Sequence, residues 1–549
     1  MADGDGPLSR PAWQPGARRA VPGLWPGRLA LGFLALLCGG ALAGLGLEAA
    51  GDWRSLAAAF DGRVLAIARF TLYQAVLSTA LSVVPALAVA RALSRHPRFF
   101  GRAALLRLFA VPLALPAIVA ALGVLALYGR AGLLAEPLSA LAGGRWPGIY
   151  GLSGILVAHV FFNLPLATRL LIEALQTVPA DHWRLASQLG MGGAAQWRLI
   201  EWPVLRAALP GIAGLVFMLC VTSFTIVLTL GGGPAATTLE VAIYQALRFD
   251  FDPGMAVALT LLQLVLTGAI VLALVRLGGT FAESATLSVV TRRPAMANNG
   301  ETVLNAIVIA LAAAFVLAPM GAVVVAGFKA DLARLAGETA VIGAAATSLA
   351  LALAAAILSV ALSMGLVAAR KRLEKARRGR ASLLELASDT GAGMILVVPP
   401  IVLGAGWFVL LRHVGDVFAL APAMVIAVNA AMAMPFVVRA IRPAHDNAAE
   451  RHDRLAASLG IRGFNRLRLV DWPVLRAPLL AGFAFAMALS LGDLGVIALF
   501  GSDSVQTLPY LLLARLGSYR TADAAGLALL LALLTLALMA IAGRLEGRR

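Results

Sequence analysis

The chain has 549 residues, of which 60% are hydrophobic and only 13% charged, and its mean hydropathy is +0.87. These values lie far outside the range of soluble globular domains and indicate a polytopic membrane protein. A net charge of +17 would also suit a nucleic-acid-binding protein, but the arginines cluster in short loops between apolar runs, as the positive-inside rule describes. We therefore expect membrane lipid around the chain and no nucleic-acid partner.

Apolar runs long enough to cross a bilayer recur along the whole sequence. A transmembrane helix needs about 20 mostly apolar residues, and twelve candidates are centred near residues 38, 80, 116, 160, 219, 265, 314, 354, 397, 429, 488 and 531. The first run contains Ala41-Leu42-Ala43, which resembles a signal-peptidase site, although the run is long for a signal peptide. The sequence thus predicts an all-α membrane protein of about twelve spans, with retention of the first span left open.

The basic loops predict the orientation of these spans. The loop at 94–107 has four arginines and the loop at 370–380 reads RKRLEKARRGR, whereas the loop after each of them has few cations. Both terminal tails are basic as well. Since Lys and Arg accumulate on the cytoplasmic side, we expect a multi-pass protein of the bacterial inner membrane with both termini in the cytoplasm.

One stretch of the sequence occurs twice, 270 positions apart. Residues 184–206 read RLASQLGMGGAAQWRLIEWPVLR and residues 454–476 read RLAASLGIRGFNRLRLVDWPVLR, with thirteen identities in twenty-three positions. Such self-similarity indicates a duplicated unit. We predict a first repeat at 1–277, a cytoplasmic linker at 278–302 and a second repeat at 303–549. With six helices each, the repeats would be parallel and related by an axis along the membrane normal.

The repeated stretch is typical of two short helices separated by glycine. In the first copy Leu185 and Leu189 are four residues apart and would form an apolar stripe. A second helix is expected from about residue 194 to residue 201, before Trp202-Pro203 ends it. One copy alone could be an amphipathic helix that lies on lipid headgroups, with its arginines on phosphates. Because the stretch occurs at the same place in each repeat, we favour a docking element that a symmetric cytoplasmic partner binds.

The repeated stretch resembles the "EAA" loop of type I ABC importer permeases, in which a coupling helix that ends at a fixed glycine fits a cleft of the nucleotide-binding subunit. The resemblance implies the MetI-like permease fold and coupling loops at about 173–206 and 443–476. It assigns ATPase docking to Arg184, Leu185, Ala186, Leu189, Gly190 and Pro203, and to Arg454, Leu455, Ala456, Leu459, Gly460 and Pro473. The family's glutamate falls on Arg184 and Arg454, so the salt bridge ascribed to that glutamate is not carried over.

The sequence has no loop for ATP hydrolysis. Its three lysines, Lys329, Lys371 and Lys375, are not followed by Ser or Thr, so a Walker A loop is excluded. The resemblance therefore implies homodimeric ABC ATPase subunits in the cytoplasm, which hold the ATP and magnesium, and a periplasmic solute-binding protein. We expect no bound cofactor, metal site or catalytic residue in the chain itself, which would work by alternating access.

Three stretches resemble the fused permeases for thiamine and its phosphates: 223–252, 490–502 and 516–526. The resemblance covers both halves of the chain and implies transport of those solutes. Permeases for ferric iron, polyamines or phosphonates use the same machinery and remain alternatives.

Two residues are candidates for the substrate pathway. Asp493 lies in an apolar span, where an ionisable side chain is costly and often functional; it could ease passage of a cationic thiazolium, or cap or pair with a helix near the outer gate. Phe224 could offer a ring face to a cation or simply pack between helices. Glu240, Asp250 and Asp252 could contact the binding protein, but solvated loop charge is the simpler interpretation.

Two other classes of protein fit parts of the sequence. A secondary transporter with six plus six helices would also be pseudo-symmetric, but it predicts acidic or histidine residues within the spans, where acidic residues are scarce. A membrane-embedded enzyme would need clustered His, Asp or Glu, whereas the six histidines are scattered. The importer permease is therefore the favoured interpretation.

Overall fold

The computed structural model describes residues 24–51, 61–276, 299–377, 380–461, 463–502 and 505–546. Within these ranges the chain forms helices joined by turns and loops, with no β-strand. This arrangement agrees with the expectation of an all-α protein.

The described residues before residue 277, 24–51 and 61–276, form thirteen α-helices. They are α1 (Trp25–Gly51), α2 (Gly62–Arg95), α3 (Arg102–Leu108), α4 (Val111–Ala114), α5 (Ala117–Tyr128), α6 (Ala135–Ala142), α7 (Leu152–Gln176), α8 (Ala180–Gln188), α9 (Gly193–Gln196), α10 (Trp202–Val221), α11 (Phe224–Leu230), α12 (Leu239–Arg248) and α13 (Pro253–Arg276). A π-helical turn at Trp197–Glu201 joins α9 to α10.

The described part of the chain after residue 298 has eleven further α-helices. They are α14 (Asn299–Phe328), α15 (Leu332–Gly337), α16 (Thr339–Ala376), α17 (Leu383–Met394), α18 (Pro400–Leu411), α19 (Ala421–Ser458), α20 (Gly463–Arg466), α21 (Trp472–Leu491), α22 (Gly495–Phe500), α23 (Leu508–Gly517) and α24 (Thr521–Glu546). A second π-helical turn, at Leu467–Asp471, joins α20 to α21.

Ten helices of the described ranges are long and apolar enough to cross a bilayer. They are α1, α2, α7, α10 with the turns before it, α13, α14, α16, α19, α21 with part of the turn before it, and α24. The predicted span near residue 116 is a pair of helical segments, 102–114 and 117–128, bent by 110°. The one near residue 397 is divided between α17 and α18. The polytopic all-α fold is thus confirmed, with two of the twelve expected spans broken.

Prolines explain both broken spans. Pro116 stands at the bend of the first, and Pro399 precedes α18 in the second. The residues before them, Leu115 and Val398, have extended backbones with ψ of 138° and 112°. Proline disfavours a helical conformation in the residue before it and lacks an N–H to donate, so a continuous helix is interrupted there. Apolar length alone could not reveal these breaks.

The first helix of the chain packs on the second half. Helix α1 lies along α16 and α18, and the indole N–H of Trp407 donates to the carbonyl of Leu37 at 2.7 Å. A Cβ on Gly44 would lie 2.2 Å from the carbonyl oxygen of Gly406. Small residues allow such close approach between membrane helices. The span whose retention the sequence left open is therefore an integral part of the packing.

The first helix after the expected linker packs on the first half in return. Helix α14 lies along α2 and α5, and a Cβ on Gly123 would lie 2.7 Å from the carbonyl oxygen of Pro319. The two halves are therefore interlocked through their first helices. Of the linker expected at 278–302, residues 278–298 lie outside the described residues, and 299–302 form the first turn of α14. The division into two repeats at these boundaries stays a prediction.

Candidate functional site

The first docking candidate is a short helix closed by a glycine. Helix α8 ends two residues before Gly190, whose φ is 61°. The amide of Leu189 donates to the carbonyl of Leu185 at 2.9 Å, and the amide of Met191 donates to the carbonyl of Ala186 at 3.0 Å. This is a Schellman-type helix end. A Cβ on Gly190 would meet no atom within 4 Å, so the left-handed backbone, rather than space, favours glycine.

The second candidate repeats this geometry. Helix α19 ends two residues before Gly460, whose φ is 65°. The amide of Leu459 donates to the carbonyl of Leu455 at 3.0 Å, and the amide of Ile461 donates to the carbonyl of Ala456 at 2.9 Å. A Cβ on Gly460 would also meet open space. The two copies of the sequence therefore build the same helix end.

Both helix ends present a pair of leucines to the outside. The exposed fractions are 55% for Leu185 and 67% for Leu189, and 56% and 65% for Leu455 and Leu459. Ala186 and Ala456, which alternate with them, are buried. A single exposed leucine is ordinary, but the same apolar pair at two equivalent places suggests an interaction surface. We name these two surfaces the leucine pairs.

The arginines that stand in place of the family's glutamate lie beside the leucine pairs. The guanidinium of Arg184 is 3.0 Å from the carboxylate of Asp181, and both side chains are strongly exposed. Such an exposed pair contributes only about 0–1 kcal/mol. Arg454 is exposed as well. Both arginines are thus accessible at the surface that a docking partner would meet.

The expectation that Trp202-Pro203 ends the second helix of the stretch is wrong. The π-helical turn carries the chain from α9 into α10, so residues 193–221 form one helical rod. Pro203 and its equivalent Pro473 lie in the first turn of α10 and α21. The wider π-helical turn just before each proline accommodates a residue that cannot donate a backbone hydrogen bond. Each docking candidate is therefore joined by a helix to a membrane span.

A buried carboxylate braces the first of these turns. Glu201 is fully buried, and its oxygens accept from Arg91 Nε at 3.1 Å and from Arg95 Nε at 3.2 Å. The carbonyl of Gly193 accepts from Arg95 Nη2 at 3.0 Å. Arg95 Nη1 also reaches the carboxylate of Glu301, in α14, at 3.1 Å. The first docking loop is therefore tied to α2 and, through Arg95, to the second half.

The second loop is braced by a more exposed ionic network. Arg466 lies 3.4 Å from Asp471, which corresponds to Glu201, and 2.5 Å from Asp453. Asp453 also pairs with Lys375 at the end of α16. Lys371 reaches Glu450 at 3.4 Å. All these partners belong to the second half, so these four ion pairs stay within the loop's own half.

The structure brings the two pathway candidates close to one glycine. Asp493 lies in the break between α21 and α22, where its Oδ1 accepts from the amides of Gly495 at 3.0 Å and Val496 at 3.5 Å. These are the contacts of the capping alternative. Phe224 begins α11 of the other half and meets the ring of Tyr244 edge-on at 5.4 Å. A Cβ on Gly495 would lie 3.6 Å from Asp493 Oδ1 and 3.9 Å from Phe224 Cδ1.

The interpretation of Glu240 as a solvated loop charge is wrong. Glu240 lies in the first turn of α12 and is 1% exposed. All ten residues of α12 are buried or half-buried, so even a charged residue in its first turn is enclosed, which a reading of loop charge could not detect. Asp250 and Asp252 are exposed as expected, and Asp252 Oδ1 accepts from the amide of Met255 at 2.9 Å.

Two segments of the chain match one protein family. Residues 79–278, and again residues 361–548, match the family described as "Binding-protein-dependent transport system inner membrane component". The chain belongs to this family. It is therefore a multi-pass transport permease of an inner membrane, and the two matches contain the two docking candidates.

Several similar proteins match at least 90% of this chain. The thiamine transport system permease protein ThiP of Brucella abortus (strain 2308) is 59% identical over 523 residues, which are 95% of each chain. Proteins of the same name are 42% identical in Salmonella typhimurium (strain LT2), over 96% of this chain and 98% of theirs, and 43% identical in Escherichia coli (strain K12), over 90% and 91%. The similarity thus extends across both halves.

Sequence reasoning missed a pair of polar contacts that the permease repeats. The amide of Leu239 donates to Thr71 Oγ1 at 3.0 Å, and the amide of Leu508 donates to Ser348 Oγ at 2.8 Å. Each hydroxyl lies on a long membrane helix and satisfies the first amide of a short buried helix, α12 or α23. The Thr-Leu pairs that recur at 238–239 and 507–508 mark these helix starts, but only the fold identifies the accepting hydroxyls.

In each half an asparagine donates to an equivalent acceptor, although the two asparagines are not themselves equivalent at the 270-residue offset. Asn429 Nδ2 donates to Ser490 Oγ at 3.0 Å, and Asn163 Nδ2 donates to Cys220 Sγ at 3.3 Å. Cys220 and Ser490 are equivalent at the 270-residue offset. A cysteine within an apolar span often acts only as a small apolar residue, whereas the sulfur of Cys220 accepts a hydrogen bond between α7 and α10.

Proposed function

We propose that the chain is the membrane-spanning permease subunit of an ATP-driven importer that carries thiamine and its phosphates from a periplasmic binding protein into the cytoplasm. Relatives that cover at least 90% of the chain are thiamine transport permeases by name, which supports the solute. The observation that carries the proposed machinery is the leucine pair beside a left-handed glycine, built twice in one chain.

The leucine pairs are the proposed contacts for a homodimeric ABC ATPase. A symmetric dimer offers two equivalent clefts, and the permease offers two equivalent helix ends with matching exposure. Burial of a leucine side chain stabilises an interface by about 1.5–3 kcal/mol. ATP and magnesium would be held by those ATPase subunits, because no lysine of this chain is followed by Ser or Thr.

The exposed arginines define the charge of the proposed cleft. Arg184 and Arg454 stand beside the leucine pairs, where the family has an acidic residue. Complementary charge across an interface favours the correct partner. We therefore expect an acidic side chain on the ATPase where each arginine docks.

The proposed topology has two parallel repeats, at 1–277 and 303–549, joined by a cytoplasmic linker at 278–302. Both chain termini and both leucine pairs would then lie in the cytoplasm. The basic loops support this orientation. It also leaves Asp250 and Asp252, which are exposed, on the periplasmic side, where the binding protein would dock.

Alternating access is the proposed mechanism, and the helical rods support it. Each rod runs from a docking loop to residue 221 or 491, about 30 Å for its last twenty residues at 1.5 Å per residue. The second rod ends next to Asp493, and the first ends next to Phe224. Closure of two ATPase subunits would bring the leucine pairs together and rock the rods, opening the proposed pathway outward; hydrolysis would then reset it inward.

Reconstitution tests this function directly. The full chain would be placed in proteoliposomes with its candidate ATPase and binding protein. ATP hydrolysis would be measured with and without thiamine, and uptake of thiamine with and without ATP. We expect both activities to rise with the thiamine-loaded binding protein, and Asp493→Asn to slow uptake without loss of expression. If iron-, polyamine- or phosphonate-loaded binding proteins stimulate ATP hydrolysis and the thiamine-loaded one does not, the proposed solute is wrong but the proposed machinery is not.

A further inference from the structure

A stripe of alternating cationic and aromatic side chains begins each helical rod. Its members are four residues apart, so they share one face of the helix. The stripes are Arg198, Trp202 and Arg206 in the first copy and Arg468, Trp472 and Arg476 in the second. We name these two surfaces the arginine stripes.

All six side chains of the arginine stripes are exposed. The leucine next to the first arginine of each stripe is exposed to the same degree, 64% for Leu199 and 63% for Leu469. Neighbouring arginines behave differently: Arg91 and Arg95 are paired with Glu201, and Arg466 is paired with two carboxylates. For the four stripe arginines, the described part of the chain provides no ion pair.

The position of the stripes along the rods indicates what covers them. After Arg206 the next charged residue is Glu240, and after Arg476 it is Asp493. Each stripe therefore marks the level at which its helix passes from polar surroundings into an apolar span. At that level a bilayer presents headgroup phosphates above and acyl chains below, where tryptophan is enriched.

We propose that each arginine stripe binds the headgroup of an anionic phospholipid. The two guanidinium groups donate to the headgroup phosphate, since planar guanidinium forks match phosphate oxygens. The indole of Trp202 or Trp472 lies in the headgroup region between the two arginines, and the acyl chains contact the apolar residues that follow Arg206 or Arg476. The stripes start fourteen residues after Arg184 and Arg454 in both copies, on a different helix from the leucine pairs.

The two interpretations of the repeated stretch thus apply to different parts of it. Its first helix docks a protein, as proposed above, and its second element docks lipid. The lipid site does not depend on the identity of the solute, and it needs only that the rods enter a bilayer. Its failure can therefore be separated from a failure of the importer function.

The selectivity of the protein for anionic over zwitterionic phospholipid tests the proposed lipid site. The full chain would be reconstituted in phosphatidylcholine bilayers with spin-labelled phosphatidylglycerol or spin-labelled phosphatidylcholine, and the relative association constants determined from the motionally restricted signal. A basic residue near an anionic surface contributes about a five-fold preference at low salt. We test two double variants, Arg198→Gln with Arg206→Gln and Arg468→Gln with Arg476→Gln. In each variant, the preference for phosphatidylglycerol at the altered stripe should fall by about five-fold for each arginine removed.

The matched control removes two exposed arginines at the far end of a membrane helix. Arg63 and Arg69 lie at the start of α2, whose other end contacts the first docking loop. Arg63→Gln with Arg69→Gln should leave the preference at the stripes unchanged. Equal losses in stripe and control variants would overturn the proposal, because net charge alone would then explain the selectivity.

Two further measurements keep the proposal falsifiable if a variant folds poorly. The preference of the unmodified chain for phosphatidylglycerol should weaken as salt screens the contact, and a salt-independent preference would overturn the proposal. ATPase copurification is measured on the same samples. Loss of the ATPase with full retention of lipid preference would assign the stripes to the protein partner and overturn the lipid site.

Discussion

The two docking loops share thirteen of twenty-three residues and the same exposed leucine pairs, but they are attached to the membrane helices differently. In the first loop, Pro179 separates α8 from the span α7. In the second, Ala449 stands at the equivalent position, and α19 runs from the membrane to Ser458 as one helix. The duplicated surface has therefore been kept while the connection behind it has diverged.

The electrostatic support of the loops differs in the same way. Glu201 is fully buried between two arginines and is connected through Arg95 to Glu301 of the other half. Its equivalent, Asp471, is partly exposed and pairs with Arg466 of its own loop. The first loop is thus connected by ion pairs to both halves, whereas the ion pairs named for the second loop connect it to its own half. Equivalent docking surfaces need not be mechanically equivalent.

The largest expected effect comes from removal of the leucine pairs. Replacing Leu185 and Leu189 with alanine removes about 2 kcal/mol of apolar contact per residue, or roughly a thousand-fold in affinity for the ATPase. The same change at Leu455 and Leu459 should have an equal effect. Pull-down titration with the ATPase measures both.

Leu133 and Leu141, which are also exposed, provide the matched control for this experiment. Their replacement with alanine should leave ATPase affinity unchanged. Retention of full affinity in either leucine-pair variant would show that its loop is not a docking site, and unequal losses would show that the partner distinguishes the two surfaces.

A smaller effect on stability should distinguish the buried carboxylate of the first loop from its partly exposed equivalent in the second. Glu201→Gln leaves two arginines without their buried carboxylate, which costs about 3 kcal/mol. Asp471→Asn removes a partly exposed partner and should cost less than about 1 kcal/mol. Thermal unfolding of the detergent-solubilised chain, followed by fluorescence-detected size exclusion, compares them. Equal shifts in melting temperature would mean that burial of Glu201 does not matter for stability.

The smallest effect is expected from joining α7 to α8. Pro179→Ala restores an amide that can donate within a helix, as in the second loop, and should change stability by less than about 1 kcal/mol. Hydrogen exchange of the amides around residue 179 should slow as the helices merge. The converse Ala449→Pro places proline inside α19 and should cost about 3 kcal/mol. Unchanged exchange after Pro179→Ala would mean that the break has another cause.

Much of the fold follows from the sequence because hydrophobic length is a local property. The apolar runs matched ten spans, although the centres predicted near residues 219 and 488 lie within three residues of the ends of α10 and α21. The 270-residue repeat located both docking candidates. The breaks near residues 116 and 397 escaped because prolines were not weighed within apolar runs. The packing of each half's first helix on the other half was not predicted for another reason. The close approach of Gly44 to Gly406 depends on which helices meet in the fold.

The sequence predicted the candidate site only where the two copies of the repeated stretch agree. Repetition and the family resemblance pointed to the left-handed glycines and the leucine pairs. The π-helical turns were missed, because Trp-Pro was interpreted as the end of a helix when it begins one. The buried position of Glu240 was missed because a charged residue near a loop gives no sign that the whole of a short helix is enclosed by its neighbours.

The hydrogen bond from Trp407 to Leu37 joins residues 370 positions apart, and it has a consequence for biogenesis. Helix α1 is synthesised 370 residues before the helix that holds its glycine face. We expect a chain cut between the halves to leave that face open to lipid or to quality-control proteases. Because both halves are one polypeptide, α1 and the helix that contains Trp407 are always made in a ratio of one to one.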